Sequence, residues 1–400
     1  MIHPVRALDA ADPHRMPTSP AMQELEDSIS AAGPAGAAGA VEAFLASRSF
    51  PLEESPFYTV VYRGPGEEVN LRHWIFALPT SQPFHRLRGT DLWHRTVELP
   101  PGSRVEYKLE IVRSGRAEWI EDPLNGQRAT DPFGANSVIC AEGYEVPGWV
   151  QPDPEARIGE LEERVVESAV FGGSRPVTLY MPARFRRRRR YPLVIVHDGP
   201  DYLQYAGMKV VLDNLIHRLE IPGMVVALLH PEERLREYAA DPRHARFLAE
   251  ELVPELERDL PLLGRPEGRC LVGASMGAVA ALHAATSYPD FFGRLLLQSG
   301  SFAFTDIGES PWGPAYEPVV DFMNAYRADP RPVSRRVFLS VGVYESLVYE
   351  NRSLVPGLQA TGMDVRYVEA RDGHNWENWR DRLREGLSWL LPGPLWMVYE

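Results

Sequence analysis

The chain has 400 residues, which at roughly 100–200 residues per domain implies two or three domains. Hydrophobic residues make up 44% and charged residues 24%, a globular balance that excludes a wholly disordered chain. Acidic residues outnumber basic ones by 55 to 42, and the formal net charge of −13 argues against a general nucleic-acid or anionic-membrane binder, while leaving room for a local basic pocket.

Residues 1–45 read as a flexible arm. The opening MIHPVRALDAADPHRM lacks the apolar stretch of a signal peptide, and SAAGPAGAAGA (30–40) is rich in Pro, Ala and Gly, so only a short helix is expected, near Met22–Ile29. From 46 to 150 the texture is that of short strands between turn signals: YTVVYR (58–63), NLRHWIFAL (70–78), RTVELP (95–100), RVEYKLEIV (104–112) and NSVICA (136–141), punctuated by GPG, PPG and DPLNG. That spacing predicts an antiparallel, immunoglobulin-like β-sandwich. Residues 151–168 follow the Pro-rich PGWVQPDPEAR and read as a linker. Over 169–400 apolar strand-like runs alternate with helical patterns, notably at 207–220, 241–259 and 276–287. This predicts an α/β domain with a mostly parallel sheet covered on both faces, whose ligand site lies at the carboxyl ends of the strands. The longest apolar runs, such as Val225 to Leu229, are strand-sized; no membrane span is expected and the default location is cytoplasmic. Cys140 and Cys270 are too few for a disulfide framework or a Cys-based zinc site and read as two separate thiols. No metal site stands out, and no cofactor is expected.

Gly273-Ala274-Ser275-Met276-Gly277 is a G-x-S-x-G pentapeptide between a strand, RCLV, and an Ala-rich helix, AVAALHAA. In that setting a sharp turn exposes the serine hydroxyl, so Ser275 is the candidate nucleophile. Its alternative is a serine that merely caps the helix. A serine needs a base. Of eleven histidines, His374 in ARDGHNWENW follows the last predicted strand, whereas His197, His230 and His283 read as packing or lining residues. The base in turn needs a carboxylate between 275 and 374. Glu345, three residues past the strand RVFLSVG, is best placed, and Asp372 is the fallback. The tetrahedral intermediate calls for backbone N–H donors from Met276 and from Asp198 or Gly199, since Pro200 has none.

These segments resemble the enterochelin esterase family of α/β-hydrolases, which open ester bonds of ferric catecholate siderophores. The resemblance runs through FPLEESPFYTVVYRG and EWIEDPLNG, then YPLVIVHDGPDY, ERLREY, FLAEELVPELE, GASMG, QSGSF, GVYES and GHNWENWRDRL. It implies Ser275, His374 and Glu345 as nucleophile, base and acid. It also implies substrate contacts from Arg234 and Tyr238 in the R-x-x-E-Y element, from Ser299 in QSGSF, and from Trp376 and Trp379 as aromatic walls. A guanidinium at Arg234 suits catecholate oxygens, although an i,i+3 pair with Glu237 would explain it equally. Ala278 and Asn375 depart from the residues, Gly and Asp, that many members carry there. The basic run Arg184 and Arg186–Arg190 reads as a solvated loop.

The expected protein is therefore a serine carboxylic-ester hydrolase acting through an acyl-enzyme on a small-molecule ester, preferably a siderophore-type trilactone or its ferric complex. It needs neither nucleic acid nor membrane. A carbohydrate, feruloyl or short-acyl esterase and an acyltransferase share the same machinery, and a non-catalytic binder of siderophore or carbohydrate is the alternative from another class.

Overall fold

The computed structural model describes residues 17, 19–305 and 313–394. The chain divides into two compact units. The first is Met1–Glu145 together with Val343–Ser346 and Arg371–Gly373; the second is Val146–Gly342, Leu347–Ala370 and His374–Glu400.

In the first unit a helix, α1 (Pro20–Ala46), precedes ten strands: β1 (Leu52–Glu54), β2 (Phe57–Arg63), β3 (Glu68–His73), β4 (Ser81–Pro83), β5 (His85–Arg86), β6 (Leu92–Glu98), β7 (Arg104–Arg113), β8 (Arg116–Ile120), β9 (Arg128–Asp131) and β10 (Gly134–Cys140). They form two antiparallel sheets, β1-β2-β6-β5 and β4-β3-β7-β10-β9, with β8 folded back on β7. Alternation along β7 drives the packing: Val105, Tyr107, Leu109 and Ile111 turn inward to meet Tyr58 and Val60 of β2, while the intervening side chains stay half-buried. The strand expected over 70–78 stops at His73; Trp74, Phe76 and Ala77 face outward in a loop in which Ala77 has φ 66°, while Ile75 stays in the core.

The arm expected over 1–45 is helical from Pro20 onward; its opening residues lie outside the described ones. The Ser19 hydroxyl caps the helix by accepting the Met22 N–H at 3.2 Å, and Gly33 at φ 65° with Pro34 kinks it. Composition pointed to disorder because the Ala/Gly tract has little intrinsic reason to order. Val41 and Phe44, with Met22 and Leu25, supply it by burying against Leu52, Val61, Leu87 and Leu92. By length and composition alone α1 could cross a membrane, but here it packs one face on the sheet.

The second unit contains β11 (Glu160–Ser168), β12 (Gly173–Met181), β13 (Leu193–Val196), α2 (Gly199–Gln204), α3 (Met208–His217), β14 (Val225–Leu229), α4 (Arg234–Tyr238), α5 (Pro242–Arg246), α6 (Val253–Asp259), β15 (Arg269–Ala274), α7 (Met276–Ser287), β16 (Arg294–Gln298), α8 (Glu317–Ala328), β17 (Arg336–Gly342), α9 (Val348–Ala360), β18 (Asp364–Ala370) and α10 (Trp376–Leu390). A π-helical segment, Phe247–Leu252, joins α5 to α6. One sheet runs β11-β12-β14-β13-β15-β16-β17-β18, parallel from β14 to β18 and antiparallel at β11 and β12. The second half of the expected linker is thus a strand: β11 pairs with β12 along its whole length, its Val166 side chain buried. The expected α/β architecture holds.

The period of two along the strands builds two cores. Leu193, Ile195 and Leu271 face α5–α7, whereas Val194, Val196 and Val272 face α3 and α10. β13 connects to β14 on one side of itself, and its other neighbour is β15. The boundary between β13 and β15 is therefore the topological switch point, the place where open α/β sheets bind their ligands. Arg186–Arg190 are exposed, and Arg187 and Arg190 cap the carbonyls of Asp259 and Leu262, as a solvated loop should. Neither Cys140 nor Cys270 forms a disulfide among the described residues; the first is half-buried and the second buried.

Candidate active site

At the carboxyl end of the sheet three neighbouring strands each end in a non-glycine residue with positive φ: Asp198 after β13 (54°), Ser275 after β15 (56°) and Ser299 after β16 (46°). Such backbone costs about 1–3 kcal/mol per residue and persists only where the surroundings impose it. At Ser275 (ψ −122°) the surroundings are clear. Its N–H donates to the Gln298 carbonyl at 2.9 Å, and its own carbonyl accepts the N–H of Ala278 and of Ser301, at 3.1 and 3.2 Å. The flanking glycines are needed for close approach. A Cβ on Gly273 would lie 2.2 Å from the Gly277 carbonyl oxygen, and one on Gly277 would lie 3.0 Å from the His197 Cβ. The half-buried Ser275 hydroxyl sits 3.2 Å from that of Ser301. Behind it, α7 buries Ala278, Ala280, Ala281, Ala284 and Ala285 against the sheet, small side chains that let the helix lie close.

The loop after β13 is held from below. Asp198 presents its carboxylate to Arg234 in a fork, Nε to Oδ1 at 2.7 Å and Nη2 to Oδ2 at 2.8 Å, and its N–H donates to the Tyr238 hydroxyl at 3.1 Å. The Asp198 amide is thus occupied and cannot serve the oxyanion role considered for it. Among the described residues no hydrogen-bond acceptor meets the N–H of Gly199 or of Met276. Arg234 does not pair with Glu237 either. Glu237 is buried and takes Arg175 at 2.5 Å, with the N–H groups of Glu232 and Glu233 on its other oxygen. Arg234 keeps 39% of its side chain exposed, with its Nη1 end outside the fork.

Several residues expected to touch substrate are buried instead. Tyr238 is fully buried, its hydroxyl spent on Asp198 and its ring against His197 and His244. Ser299 is fully buried and accepts the Trp379 indole N–H at 2.9 Å. Trp376 packs edge-on against Tyr202 and Trp379, and both tryptophans are under 10% exposed, so they are walls of the core rather than of a pocket. Trp379 nonetheless has a positional role, because its ring stands perpendicular to the exposed His374 ring at 5.0 Å between centroids. His374 is therefore one aromatic contact and one hydrogen bond away from the 299–301 turn that borders Ser275. Glu345, three residues beyond β17, is buried. The fallback carboxylate Asp372 is buried, and its Oδ1 receives Arg104 at 3.3 Å and the Gly373 N–H at 2.7 Å.

The other histidines take bland roles. His197 Nδ1 donates to the Val272 carbonyl (2.8 Å), so its Nε2 must accept from His244 Nε2 (3.0 Å); burial lowers the pKa of both and keeps them neutral. His230 bonds Thr178, and burial brings the His283 pKa down to about 4. Sequence reasoning missed the residues that shape the turn after β16. Gln298 accepts the Tyr202 hydroxyl and donates to the Trp379 carbonyl, and Asn351 brackets Gly300 by bonding both its N–H and its carbonyl. A buried Gln at a strand end and a buried Asn in a helix were the available signals. Among the described residues no group of His, Cys, Asp and Glu is arranged to hold a metal ion.

Residues 168–390 match the family described as putative esterase. The chain belongs to this esterase family, and it is a carboxylic-ester hydrolase. Among its relatives, the iron(III) enterobactin esterase of Dickeya dadantii is 25% identical over 358 residues, covering 78% of this chain and 80% of the relative. That of Escherichia coli is 26% identical over 350 residues, covering 79% and 85%. Among solved structures, the enterobactin esterase of Shigella flexneri determined in the presence of enterobactin superposes with a TM-score of 0.71 at 23% identity, over 90% of this chain and 99% of that one. The esterase fold is thus shared along nearly the whole length.

Proposed function

We propose that this esterase cleaves ester bonds of siderophores through an acyl-enzyme on Ser275. The observation that carries the reading is the backbone of Ser275, held at φ 56° at the switch point of the sheet beside two amides, Gly199 and Met276, that meet no acceptor among the described residues. In the reaction the Ser275 Oγ attacks the ester carbonyl carbon while His374 takes its proton, with Glu345 fixing the imidazole tautomer and stabilising the imidazolium. The Gly199 and Met276 N–H groups donate to the tetrahedral oxyanion. Collapse breaks the C–O bond and expels the alcohol, which leaves with the proton from His374. Water then repeats the sequence in reverse and frees the acid and the serine.

The substrate class rests on the relatives, enterobactin esterases that align over most of both chains. Arg234 fits that class: one edge of its guanidinium is bound to Asp198, while the Nη1 end is left to meet catecholate or carbonyl oxygens. With a net charge of −13 on the whole chain, an anionic ferric complex would depend on such local cations. We read the two-sheet first unit as immunoglobulin-like, and the cytoplasm as the site of action.

The test pairs one variant with a substrate panel. Ser275→Ala is expected to lower hydrolysis of an activated aryl ester by at least about 10³-fold, the scale of losing a catalytic serine. Wild-type enzyme offered ferric and apo trilactone siderophores, feruloyl esters and acetylated sugars should turn over the trilactones best. A Ser275→Ala protein with wild-type turnover overturns the mechanism, and preference for feruloyl or sugar esters overturns the substrate.

A further inference from the structure

Two short segments that follow strands of the α/β sheet, Val343–Ser346 after β17 and Arg371–Gly373 after β18, belong by their contacts to the first unit. The contacts are specific. Tyr344, the residue before Glu345, is 6% exposed, and its ring belongs to the same cluster as Tyr58, Tyr107 and Leu109. The Ser103 hydroxyl donates to the Pro100 carbonyl at 2.5 Å, so the Tyr344 hydroxyl, also at 2.5 Å from it, must be the donor of the pair. The Tyr344 carbonyl accepts the Phe76 N–H at 2.7 Å, and its N–H donates to the Asp372 carbonyl at 3.1 Å, tying the two segments together. The second segment is gripped in the same way. The Arg104 N–H donates to the Arg371 carbonyl at 2.9 Å, and the Arg104 guanidinium, 4% exposed, spans Glu106 and Asp372 at 3.0 and 3.3 Å. Gly373, whose N–H closes on Asp372, is the residue before His374.

We propose that Ser103, Arg104 and Tyr344 are positioning residues of the esterase reaction: the β-sandwich unit holds the backbone that carries the triad acid and the backbone that leads into the triad base. The inference rests on the assignment of Glu345 and His374 made above. The physical reason is that the two loops carry triad members on their ends, and a misplacement of about 1 Å in such groups costs on the order of 10²-fold in rate. Within the contacts described, the buried ring of Tyr344, four inter-segment hydrogen bonds and one buried ion pair fix the two segments. None of these residues needs to touch substrate, so their loss should reach kcat and leave KM nearly unchanged.

The experiment uses the full chain and an activated aryl ester. Tyr344→Phe keeps the ring in the sandwich core and deletes only the hydroxyl; it should lower kcat about three- to tenfold with KM within twofold. Ser103→Ala, which also loses the bond to Pro100, should lower kcat at least as much, and the double variant should be no worse than Ser103→Ala alone, because the tyrosine hydroxyl's partner is then already gone. Arg104→Gln should lower kcat more than Arg104→Lys, which keeps the charge opposite Asp372 and restores part of the rate. Wild-type kcat in Tyr344→Phe, or a loss carried wholly by KM, overturns the inference; should Arg104→Gln fail to fold, the tyrosine decides alone. Ser275→Ala is measured alongside. If it stays active the triad assignment fails, and if it is dead while Tyr344→Phe is unaffected, only the positioning role fails.

Discussion

Gly199→Ala places a methyl group where the fold has no space for it. A Cβ at that position would lie 2.5 Å from the Leu228 Cβ, 2.6 Å from its carbonyl carbon and 2.7 Å from its Cα. Leu228 cannot give way: it is fully buried in β14, paired with Thr178 on one side and Val196 on the other. To regain ordinary contact the loop itself must lift by roughly 1 Å, a displacement worth about 10²-fold when it misaligns a catalytic group. Losing one oxyanion donor costs about 10²–10³ in kcat, or ~2.7–4 kcal/mol of transition-state stabilisation, so the two routes converge on the same range. Overpacking adds about 1–3 kcal/mol of destabilisation, which thermal unfolding would report separately. Steady-state hydrolysis of an aryl ester should therefore show kcat down 10²–10³-fold with KM little changed. A folded Gly199→Ala enzyme with kcat within threefold of wild type would mean that this amide does not face the developing oxyanion.

Glu345→Gln should cost on the order of 10³–10⁴ in kcat, the scale at which a triad loses its acid. Asp372→Asn, whose amide oxygen can still accept Arg104 and the Gly373 N–H, should cost at least tenfold less; the reverse order would reassign the acid. The acid limb of stability should include buried histidines of both units, His94 and His73 of the first among them. Burial brings the His94 pKa from 6.5 down to about 4, helped by His85, and the His73 pKa down to about 4, helped by Arg95 and Arg72. A depressed histidine is neutral in both states above pH 6.5, and below it the unfolded chain takes the proton first. The contribution is therefore intact above 6.5 and is lost as the pH falls toward 4, on the order of 2 kcal/mol per group at pH 5. Urea unfolding between pH 7.5 and 5 should show a flatter pH dependence for His94→Leu than for wild type. An unchanged slope would exonerate this residue.

The catalytic half of the molecule was legible because its signals are local. A glycine-flanked serine between a short buried strand and an alanine helix leaves few alternatives to an elbow. The continuous apolar runs of β13 to β17 declare a sheet buried on both faces. What the sequence hid depends on partners distant along the chain. The helix over Gly36–Ala46 exists because Val41 and Phe44 find Val61 and Leu92, and β11 exists because β12 offers it an edge. Arg234 shows the same limit: spacing offered Glu237 three residues away, but the geometry chose Asp198, thirty-six residues back. Ser299, Tyr238 and the two tryptophans lie in motifs around the site yet turn inward, because motif membership fixes where a backbone goes and not which way a side chain faces.

Five alanines on the helix behind Ser275 leave that element nothing to trade. Any larger side chain there would push the helix off the sheet, and any flanking residue in place of Gly273 would collide with the turn it closes. Change in what the enzyme accepts must therefore accumulate elsewhere, in the loops at the strand ends. The elbow is a frozen part of the design, and a directed-evolution library aimed at new esters would waste its members on 273–285 and find its variation beyond them.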